Sequence, residues 1–286
     1  MNREAARLSL VKTTFSIARS LLTHAVLLTG AVIMIAPFLW MISSSLKDLT
    51  QVFIFPPQWI PRPFVWQNYV DAWHAIPLGR FFANSFFVAS AVAISQVVTA
   101  SLAAYVFARL EFPGRDVIFL LFLGTMMLPS QITLIPRFII LKEIGWIDTY
   151  QALIVPFMAR PFGTFLLRQS FLNVPTDLED AARMDGCSRL RILFQVVLPL
   201  SKPALATLFV FTFMSYWNSF LWPLIVIQTR EKLTLQVGLA MLRSELSTEW
   251  PTLMAASVLS ALPAIILYFL AQKQFVQGIT LTGLKG

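Results

Sequence analysis

The chain has 286 residues, of which 57% are hydrophobic and 13% are charged, and its formal net charge is +8. Soluble domains have about 25% charged residues, so this chain has too little polar surface for a water-soluble globule of its size. The abundance of hydrophobic residues and the presence of a single cysteine, Cys187, exclude intrinsic disorder and a disulfide scaffold. We therefore predict an integral membrane protein that is embedded in lipid and binds no nucleic acid.

Apolar stretches of about 20 residues, long enough to cross the hydrocarbon core as a helix, recur along the chain. A transmembrane β-barrel would instead show short segments that alternate between apolar and polar residues. We predict an all-α protein and expect the first span to be retained, because its apolar run is too long for a signal peptide and lacks a cleavage site. The six predicted transmembrane helices lie at residues 20–44, 82–107, 117–136, 149–170, 203–228 and 250–272.

The distribution of Lys and Arg predicts the orientation of these spans. More of these residues fall on the side of the N-terminus than on the opposite side, and the positive-inside rule places that side in the cytoplasm. We therefore predict a multi-pass protein of the inner (plasma) membrane. Its N-terminal residues 1–19 and its tail, 273–286, are both expected to be cytoplasmic, and residues 20–272 form the membrane domain.

Arg160 lies near the middle of the fourth predicted span. A charge at that depth is costly and usually faces the bundle interior or water, so we predict that Arg160 lines a translocation path. The structural alternative is that Pro161 breaks the helix and that Arg160 binds the freed carbonyl groups.

The segment at 173–200, between spans four and five, is the most polar part of the chain. Thr176 followed by Glu179 has the form of a capping box and predicts a helix that begins at Thr176. Gly186 is predicted to end this helix, and Ser188 to cap a second helix that Pro199 ends. The second helix should bury one apolar stripe, which consists of Leu190, Leu193, Phe194 and Val197.

Two such helices either dock a partner below the membrane or lie flat on the inner leaflet. Three acidic residues cluster at the start of the first helix, Asp177, Glu179 and Asp180. Anionic headgroups would repel them, which favours docking.

Span five carries the densest set of polar and aromatic side chains. Sugars present hydroxyl groups around apolar C–H faces, so a path for them needs both kinds of partner. Hydrogen bonding between helices is the alternative role for any one of these residues. Together with Arg160, the predicted path or gate comprises Ser215, Tyr216, Trp217, Asn218 and Phe220.

The sequence contains no phosphate-binding loop, no zinc-type Cys/His cluster and no Gly-x-Ser-x-Gly elbow. We therefore predict no catalytic residue and no metal site. A self-sufficient ion-coupled carrier and a membrane enzyme are the rival classes. The lack of carboxylates within the spans argues against proton coupling, and the acidic cluster in 177–185 lacks a nucleophile and metal ligands.

The polar segment resembles the coupling motif of binding-protein-dependent ABC importer permeases. That motif reads Glu-Ala-Ala, three residues, Gly, nine residues, Ile, one residue and Leu-Pro. Every spacing is kept here, with Asp for Glu and Val for Ile. Segments 55–61, 84–85, 108–115 and 217–224 are also similar to the carbohydrate-uptake branch, in particular to the shorter permease of maltose-type transporters. The motif residues are Asp180-Ala181-Ala182, Gly186, Val196 and Leu198-Pro199.

This resemblance implies a type I ABC importer permease that moves a sugar or sugar-like solute into the cytoplasm. It implies a heterodimer with a second permease, an ABC ATPase dimer that holds ATP and Mg²⁺, and an extracytoplasmic solute-binding protein, with no cofactor on this chain. The tail at 273–286 would reach the ATPase dimer interface. The coupling residues would be Glu179, Asp180, Ala181, Ala182, Arg183, Asp185, Gly186, Leu198 and Pro199. Two outer segments, 47–80 and 230–249, would contact the binding protein, through Trp59, Tyr69, Leu233, Gly238 and Leu242. A helix that lies at the membrane interface is the alternative for 230–249, and the resemblance favours docking.

Overall fold

The computed structural model describes the backbone of residues 2–243 and 249–283 and the side chains of residues 19–243 and 249–272. The regular elements within these ranges are all helices, as the sequence predicts. The α-helices are α1 (Asn2–Ser45), α2 (Leu49–Val52), α3 (Gln67–Ala75), α4 (Leu78–Arg109), α5 (Arg115–Gly124), α6 (Leu134–Glu143), α7 (Tyr150–Ile154), α8 (Pro161–Leu172), α9 (Thr176–Met184), α10 (Arg189–Ile192), α11 (Leu198–Leu200), α12 (Lys202–Trp217), α13 (Leu221–Val226), α14 (Leu235–Met241) and α15 (Trp250–Gly283).

Three helices of the described chain are long and apolar enough to cross a membrane: Arg19–Ser45 within α1, the whole of α4, and Trp250–Gln272 within α15. Their mean hydropathies are 2.3, 1.8 and 2.2. Pro37 in α1 and Pro263 in α15 lie inside these helices without ending them. The predicted spans at 20–44, 82–107 and 250–272 therefore each fall within one continuous helix.

The other three predicted spans are each divided between two shorter helices. The span at 117–136 comprises most of α5 and the start of α6, the span at 149–170 comprises α7 and most of α8, and the span at 203–228 comprises α12 and α13. A proline accounts for the first two breaks, because the residue before a proline is disfavoured in the helical region. Leu128 and Arg160, which precede Pro129 and Pro161, have ψ angles of 118° and 140°. That the chain crosses the membrane six times stays a prediction. Three of the six predicted crossings correspond to broken helices.

The chain divides into two compact units, residues 1–72 with 247–258 and residues 73–246 with 259–286. In the first unit, the segment after α1 folds back on the end of that helix. The Asn68 side-chain amide donates to the carbonyl oxygens of Ser45 (2.9 Å) and Lys47 (2.7 Å). The hydroxyl groups of Tyr69 and Ser45 are hydrogen-bonded at 2.8 Å. These bonds fix the segment that precedes α3.

In the second unit, α4 packs against α8 and α12. Small residues at the contact allow the helix backbones to approach closely. A Cβ atom at Gly163 of α8 would lie 3.1 Å from side-chain atoms of Ala100 and Leu208. The same core includes residues of the polar segment, so that segment is packed onto the helices. The buried core residues are Ala100, Ala104, Tyr105, Leu167, Phe171, Ile192, Leu193, Val197 and Leu208.

Candidate functional site

The segment at 173–200 forms two helices joined by a glycine bend, as the sequence predicts. Gly186 has a φ of 78° and follows the end of α9. Its N–H donates to the carbonyl of Arg183 (2.9 Å), and the N–H of Cys187 donates to the carbonyl of Ala182 (3.0 Å). This pair of bonds closes a helix around a left-handed residue, a conformation that glycine adopts without strain. Among the described atoms, none outside the neighbouring residues lies within 4 Å of a Cβ built at Gly186, so the bend needs glycine for its backbone angles and not for space.

The second helix begins as predicted but buries a different face. The Ser188 hydroxyl accepts the N–H of Arg191 at 3.4 Å and caps the helix. Leu190 and Phe194, predicted to be buried, are 59% and 58% exposed. A π-helical stretch over Leu193–Val197 follows α10 and widens the turn, so the buried face shifts. The residues that reach the core are Ile192, Leu193 and Val197.

The predicted end of this helix at Pro199 is also displaced. Pro199 lies inside α11, and the chain turns at Ser201, where the loop helix and α12 meet at 82°. The loop helix therefore continues one residue past Pro199 and ends at Leu200.

The predicted capping box does not form. α9 begins after Pro175 without a side-chain cap, and Glu179 points to α4 instead. Arg109 Nε donates to Glu179 Oε1 at 2.5 Å, and the Tyr105 hydroxyl donates to Glu179 Oε2 at 3.3 Å. The side chains of Arg109 and Glu179 are only 8% and 2% exposed. The Glu179 carboxylate is therefore held inside the chain and is not presented to a partner.

Arg109 joins three elements at this point. Its Nη2 donates to the carbonyl oxygens of Phe171 (2.7 Å) and Val174 (2.6 Å), at the end of α8. The last carbonyls of a helix have no partner within the helix, so a guanidinium group satisfies them well. We call Arg109, Glu179 and Tyr105 the inner tie, because they fasten the ends of α4 and α8 to α9.

The other predicted coupling residues form the outer face of the loop. Asp180 and Arg183 make an exposed ion pair at 3.0 Å. Ala182 is half-buried against the core, and Leu198 is also half-buried. The exposed residues are Asp180, Ala181, Arg183, Asp185, Gly186 and Pro199.

A cavity of about 500 Å³ lies where the predicted spans are broken. The guanidinium carbons of Arg137 and Arg160 lie 4.9 Å and 5.4 Å from the centre of the Phe157 ring. Arg137 also lies 5.3 Å from the centre of the Trp222 ring. The cavity is lined by Gln96, Ser130, Gln131, Leu134, Arg137, Phe157, Arg160, Phe162, Phe211, Thr212, Ser215, Tyr216, Ser219, Phe220, Leu221 and Trp222.

Side chains of α4 and α12 hold the break before α8 in place. Gln96 donates from Nε2 to the carbonyl of Phe157 at 2.8 Å, and its Oε1 accepts the hydroxyl of Thr212 at 3.2 Å. The Thr99 hydroxyl donates to the carbonyl of Met158 at 2.7 Å. These bonds satisfy carbonyl groups that the broken helix leaves free, which stabilises irregular backbone beside a cavity.

The structure brings together four of the six predicted path residues, because Arg160, Ser215, Tyr216 and Phe220 all line the cavity. Trp217 and Asn218 do not. Trp217 is buried, and its indole N–H donates to the carbonyl of Ser260 at 3.1 Å. Asn218 follows α12 and donates to the carbonyl of Met214 at 2.9 Å. The Trp217 bond joins α12 to α15, which is the interhelical role that the sequence left open, whereas the Asn218 bond stays within its own helix end.

Sequence reasoning missed Arg137 and Gln96 as cavity residues. Arg137 directly follows the predicted end of span three at residue 136, so the sequence predicts an outer position for it. Apolar residues on both sides of it, Leu134–Ile135 and Phe138–Leu141, could have indicated a charge within an apolar environment. Gln96 carries no such signal, since a single amide within an apolar helix is common in packed bundles.

Two predicted binding-protein contacts are internal. Leu233 is buried, and its carbonyl accepts from the Asn84 side-chain amide at 2.9 Å. A Cβ atom at Gly238 would lie 2.1 Å from the ring of Phe81, so this glycine is required by close packing. Leu233 and Gly238 therefore hold the outer segment against α4, and their side of the segment does not face outward.

The remaining outer positions are at least partly accessible. Trp59 is exposed, with its ring centre 5.2 Å from that of Trp40. Tyr69 and Leu242 are half-buried. The side chains of the tail at 273–286 lie outside the described residues, so its predicted contact stays a prediction.

Asp148 forms an outer tie between the segment before α7 and the segment after α13. Its carboxylate accepts the N–H groups of Gln228 (3.0 Å) and Thr229 (2.9 Å), the Thr229 hydroxyl, and Lys232 Nζ at 3.2 Å. Partial burial acts to raise the pKa of Asp148, but the hydrogen bonds from Thr229, Gln228 and Lys232 outweigh it and hold the pKa well below its usual range.

Comparison with known proteins gives consistent matches. Residues 96–281 match the family described as binding-protein-dependent transport system inner membrane component. The sn-glycerol-3-phosphate transport system permease protein UgpE of Yersinia enterocolitica is 36% identical over 90% of this chain and 94% of the relative. The arabinooligosaccharides transport system permease protein AraQ of Bacillus subtilis is 37% identical over 72% of this chain and 74% of the relative. A chain of a bacterial ABC transporter involved in the import of the acidic polysaccharide alginate superposes with a TM-score of 0.80 at 26% identity, over 91% of this chain and 96% of that chain.

Proposed function

The chain belongs to the family of binding-protein-dependent transport system inner membrane components, and we propose that, as the permease subunit of a sugar ABC importer, it is driven through the loop at 176–198 by a separate ATPase. The observation that carries this proposal is the inner tie. It fastens the loop to α8, and the loop continues directly into α12, so two helices lead from the loop to the cavity.

The first of these helices is α8. Its last turn is held by Arg109, and its first residue follows Arg160 at the cavity. The helix has 12 residues, which corresponds to a rod about 18 Å long. A displacement of α9 would therefore move Arg160, because a packed helix transmits motion as a unit.

The second helix is α12. It leaves the loop at Ser201 with the bend of 82° and ends beside Ser215 and Tyr216 in the cavity. Its 16 residues span about 24 Å. The loop thus controls two walls of the cavity, so an outside force applied to the loop can open or close the path.

We assign the docking surface for the ATPase to the exposed outer face of the loop, around Ala181 and Gly186. Asp180 takes the place of the acidic contact of the coupling motif, because Glu179 is buried in the inner tie. ATP and Mg²⁺ belong to the partner subunit in this proposal, and this chain carries no cofactor of its own. Lys and Arg residues around the loop agree with a cytoplasmic location.

This assignment places both termini in the cytoplasm and gives six crossings of the inner membrane. Three crossings are the continuous helices, and three are broken helices, of which the break before α8 has carbonyl groups bonded by Gln96 and Thr99. A second permease would complete the path as a heterodimer partner, and a solute-binding protein would dock outside, at exposed residues such as Trp59. The family description, which names a binding-protein-dependent system, supports that partner.

The solute is a sugar or a sugar-like compound. The relatives named above transport sn-glycerol 3-phosphate, arabinooligosaccharides and alginate. The cavity offers the required chemistry, with hydroxyl groups from Thr212 and Ser215 beside the rings of Phe157 and Tyr216. Amide and hydroxyl groups bind sugar hydroxyls, and aromatic rings cover the apolar faces.

The test is uptake into proteoliposomes that contain the complete importer with its binding protein. We expect uptake only when ATP is supplied on the side of the ATPase, and none when that subunit is inactive. This chain reconstituted alone should transport nothing. Uptake by this chain alone, driven by an ion gradient, would contradict the proposal and identify a self-sufficient carrier.

A further inference from the structure

The cavity contains two positively charged side chains that pair with no acidic residue in the described part of the chain. Arg137 and Arg160 both line it, and neither forms an ion pair with any residue in the described part of the chain. None of the lining residues is acidic within the same described ranges. The two guanidinium groups approach the same ring, that of Phe157, so one small solute can reach both.

This arrangement is costly in the empty cavity. The two like charges repel each other, and a charge within membrane-embedded protein is retained only where it has a function or a partner. Contacts with aromatic rings compensate for part of this cost, because a guanidinium group above a ring is attracted by its electrons. An anion between the two groups would replace the repulsion with two charge-assisted hydrogen-bonding interactions.

We propose that this cavity selects an anionic solute, namely a polyhydroxylated compound that carries a phosphate or carboxylate group, and that Arg137 and Arg160 bind that group. The proposal rests on the proposed function and names the solute class of the same path. Arginine suits this role because its planar fork matches the geometry of both anions. The hydroxyl oxygens of Ser215 and Thr212 can accept hydrogen bonds from the rest of the solute, and the rings of Phe157 and Trp222 can cover its apolar faces.

The two arginines lie on different elements, which gives the anion a second effect. Arg137 belongs to α6, and Arg160 immediately precedes α8. A bound anion would connect these elements across the cavity. Because α8 is fastened to the loop by the inner tie, movement of the loop would separate the two charges and release the solute.

The experiment measures uptake by the complete importer in proteoliposomes, with three probes tested separately: sn-glycerol 3-phosphate, a uronic-acid disaccharide and a neutral disaccharide. The variants are Arg137→Gln and Arg160→Gln, with Arg137→Lys and Arg160→Lys as conservative changes. Lys142→Gln is the matched control, because Lys142 lies on the same helix as Arg137, is exposed and does not line the cavity.

We expect the wild-type importer to take up at least one anionic probe faster than the neutral probe. Each Gln variant should lower the ratio of anionic to neutral uptake by about tenfold, since a hydrogen bond to a charged group contributes about that factor. The Lys variants should retain more of the ratio, because they keep the charge and lose only the fork. Lys142→Gln should leave the ratio unchanged. The two anionic probes distinguish phosphate from carboxylate recognition.

Faster uptake of the neutral probe, an unchanged ratio in both Gln variants, or an importer that hydrolyses ATP in response to its binding protein and moves neither anion would each overturn the solute class. Those results would leave the ATP-driven permease intact. Uptake that does not depend on ATP would instead refute the proposed function, so the two failures are distinguishable.

Discussion

The arginine of the inner tie has a carboxylate partner, whereas the two arginines of the cavity have none among the described residues. Arg109 is almost fully buried and has a carboxylate and two carbonyl oxygens as partners, whereas Arg137 and Arg160 face a cavity whose described lining has no acid. A buried charge without a partner is strongly unfavourable, so the pairing at Arg109 is structural. The charges in the cavity have access to a solute. The difference indicates which positive charges fasten the helices and which are available to a ligand.

The largest loss of stability is expected when the carboxylate partner of Arg109 is removed. Glu179→Gln leaves a buried guanidinium group without its counter-charge, which should lower the free energy of unfolding by about 3 to 5 kcal/mol. Thermal unfolding of the purified importer measures this loss, and uptake should fall with it. Asp180→Asn is the control, since the exposed pair with Arg183 contributes at most about 1 kcal/mol. Equal stability of the two variants would contradict a structural role for the inner tie.

Asp148, in the outer tie, is a carboxylate whose partners also stabilise the fold. The pKa of Asp148 is depressed in the folded state, so its contribution to stability is fully present above the ordinary carboxyl pKa of about 3.9 and is lost as the pH falls through the folded value. Asp148→Asn should cost about 1 to 2 kcal/mol at neutral pH. It should also make the unfolding temperature less sensitive to acid. Asn tolerates the positive φ at this position, so backbone strain does not confuse the result. An unchanged acid sensitivity would remove Asp148 as a stabilising group.

Variants of Gly186 test the stability of the loop and its docking role separately. Gly186→Ala should lower the free energy of unfolding by about 1 kcal/mol because of the positive φ, and Gly186→Asn should lower it less. Uptake should fall in both variants, since either side chain intrudes on the docking face. Unfolding temperature and uptake are measured on the same samples. Normal uptake in both variants would show that no partner approaches this glycine closely.

The smallest effect on stability is expected in the cavity. Arg137→Gln and Arg160→Gln remove a charge that is repelled by its neighbour. They lose contacts with aromatic rings and, for Arg137, a hydrogen bond to the Thr133 hydroxyl at 3.2 Å. The free energy of unfolding should therefore change by less than about 1 kcal/mol. Arg109→Gln should destabilise the importer far more. A large loss of stability in the two cavity variants would show that these arginines stabilise the fold as Arg109 does.

The sequence predicted those features that depend on neighbouring residues. The left-handed Gly186 and the Ser188 cap depend on bonds between residues close in the chain, so the residue pattern is sufficient to predict them. The start of α9 at Thr176 also agrees with the prediction, although the capping box does not form. The positions of the three continuous helices followed from apolar length alone.

The features that the sequence did not predict depend on distant residues. Glu179 has the pattern of a capping box, but its partner Arg109 lies 70 positions away in the chain and forms a stronger, charged contact. The shifted face of the second loop helix arises from the π-helical stretch, which adapts to the core below it. Arg137 and Arg160 lie beside the same Phe157 ring because two of the predicted spans are broken. The hydropathy of a sequence does not indicate which broken helix ends lie close together.

The central claim is that the outer face of the loop contacts a nucleotide-hydrolysing subunit. The most direct measurement is site-specific cross-linking of the complete importer from Ala181→Cys in a Cys187→Ser background, which leaves one thiol in the chain. We predict a cross-link between this position and the ATPase, and none from Lys142→Cys in the same background. An importer that remains active in uptake but gives no cross-link at Ala181→Cys, or the same cross-link from Lys142→Cys, would contradict the claim.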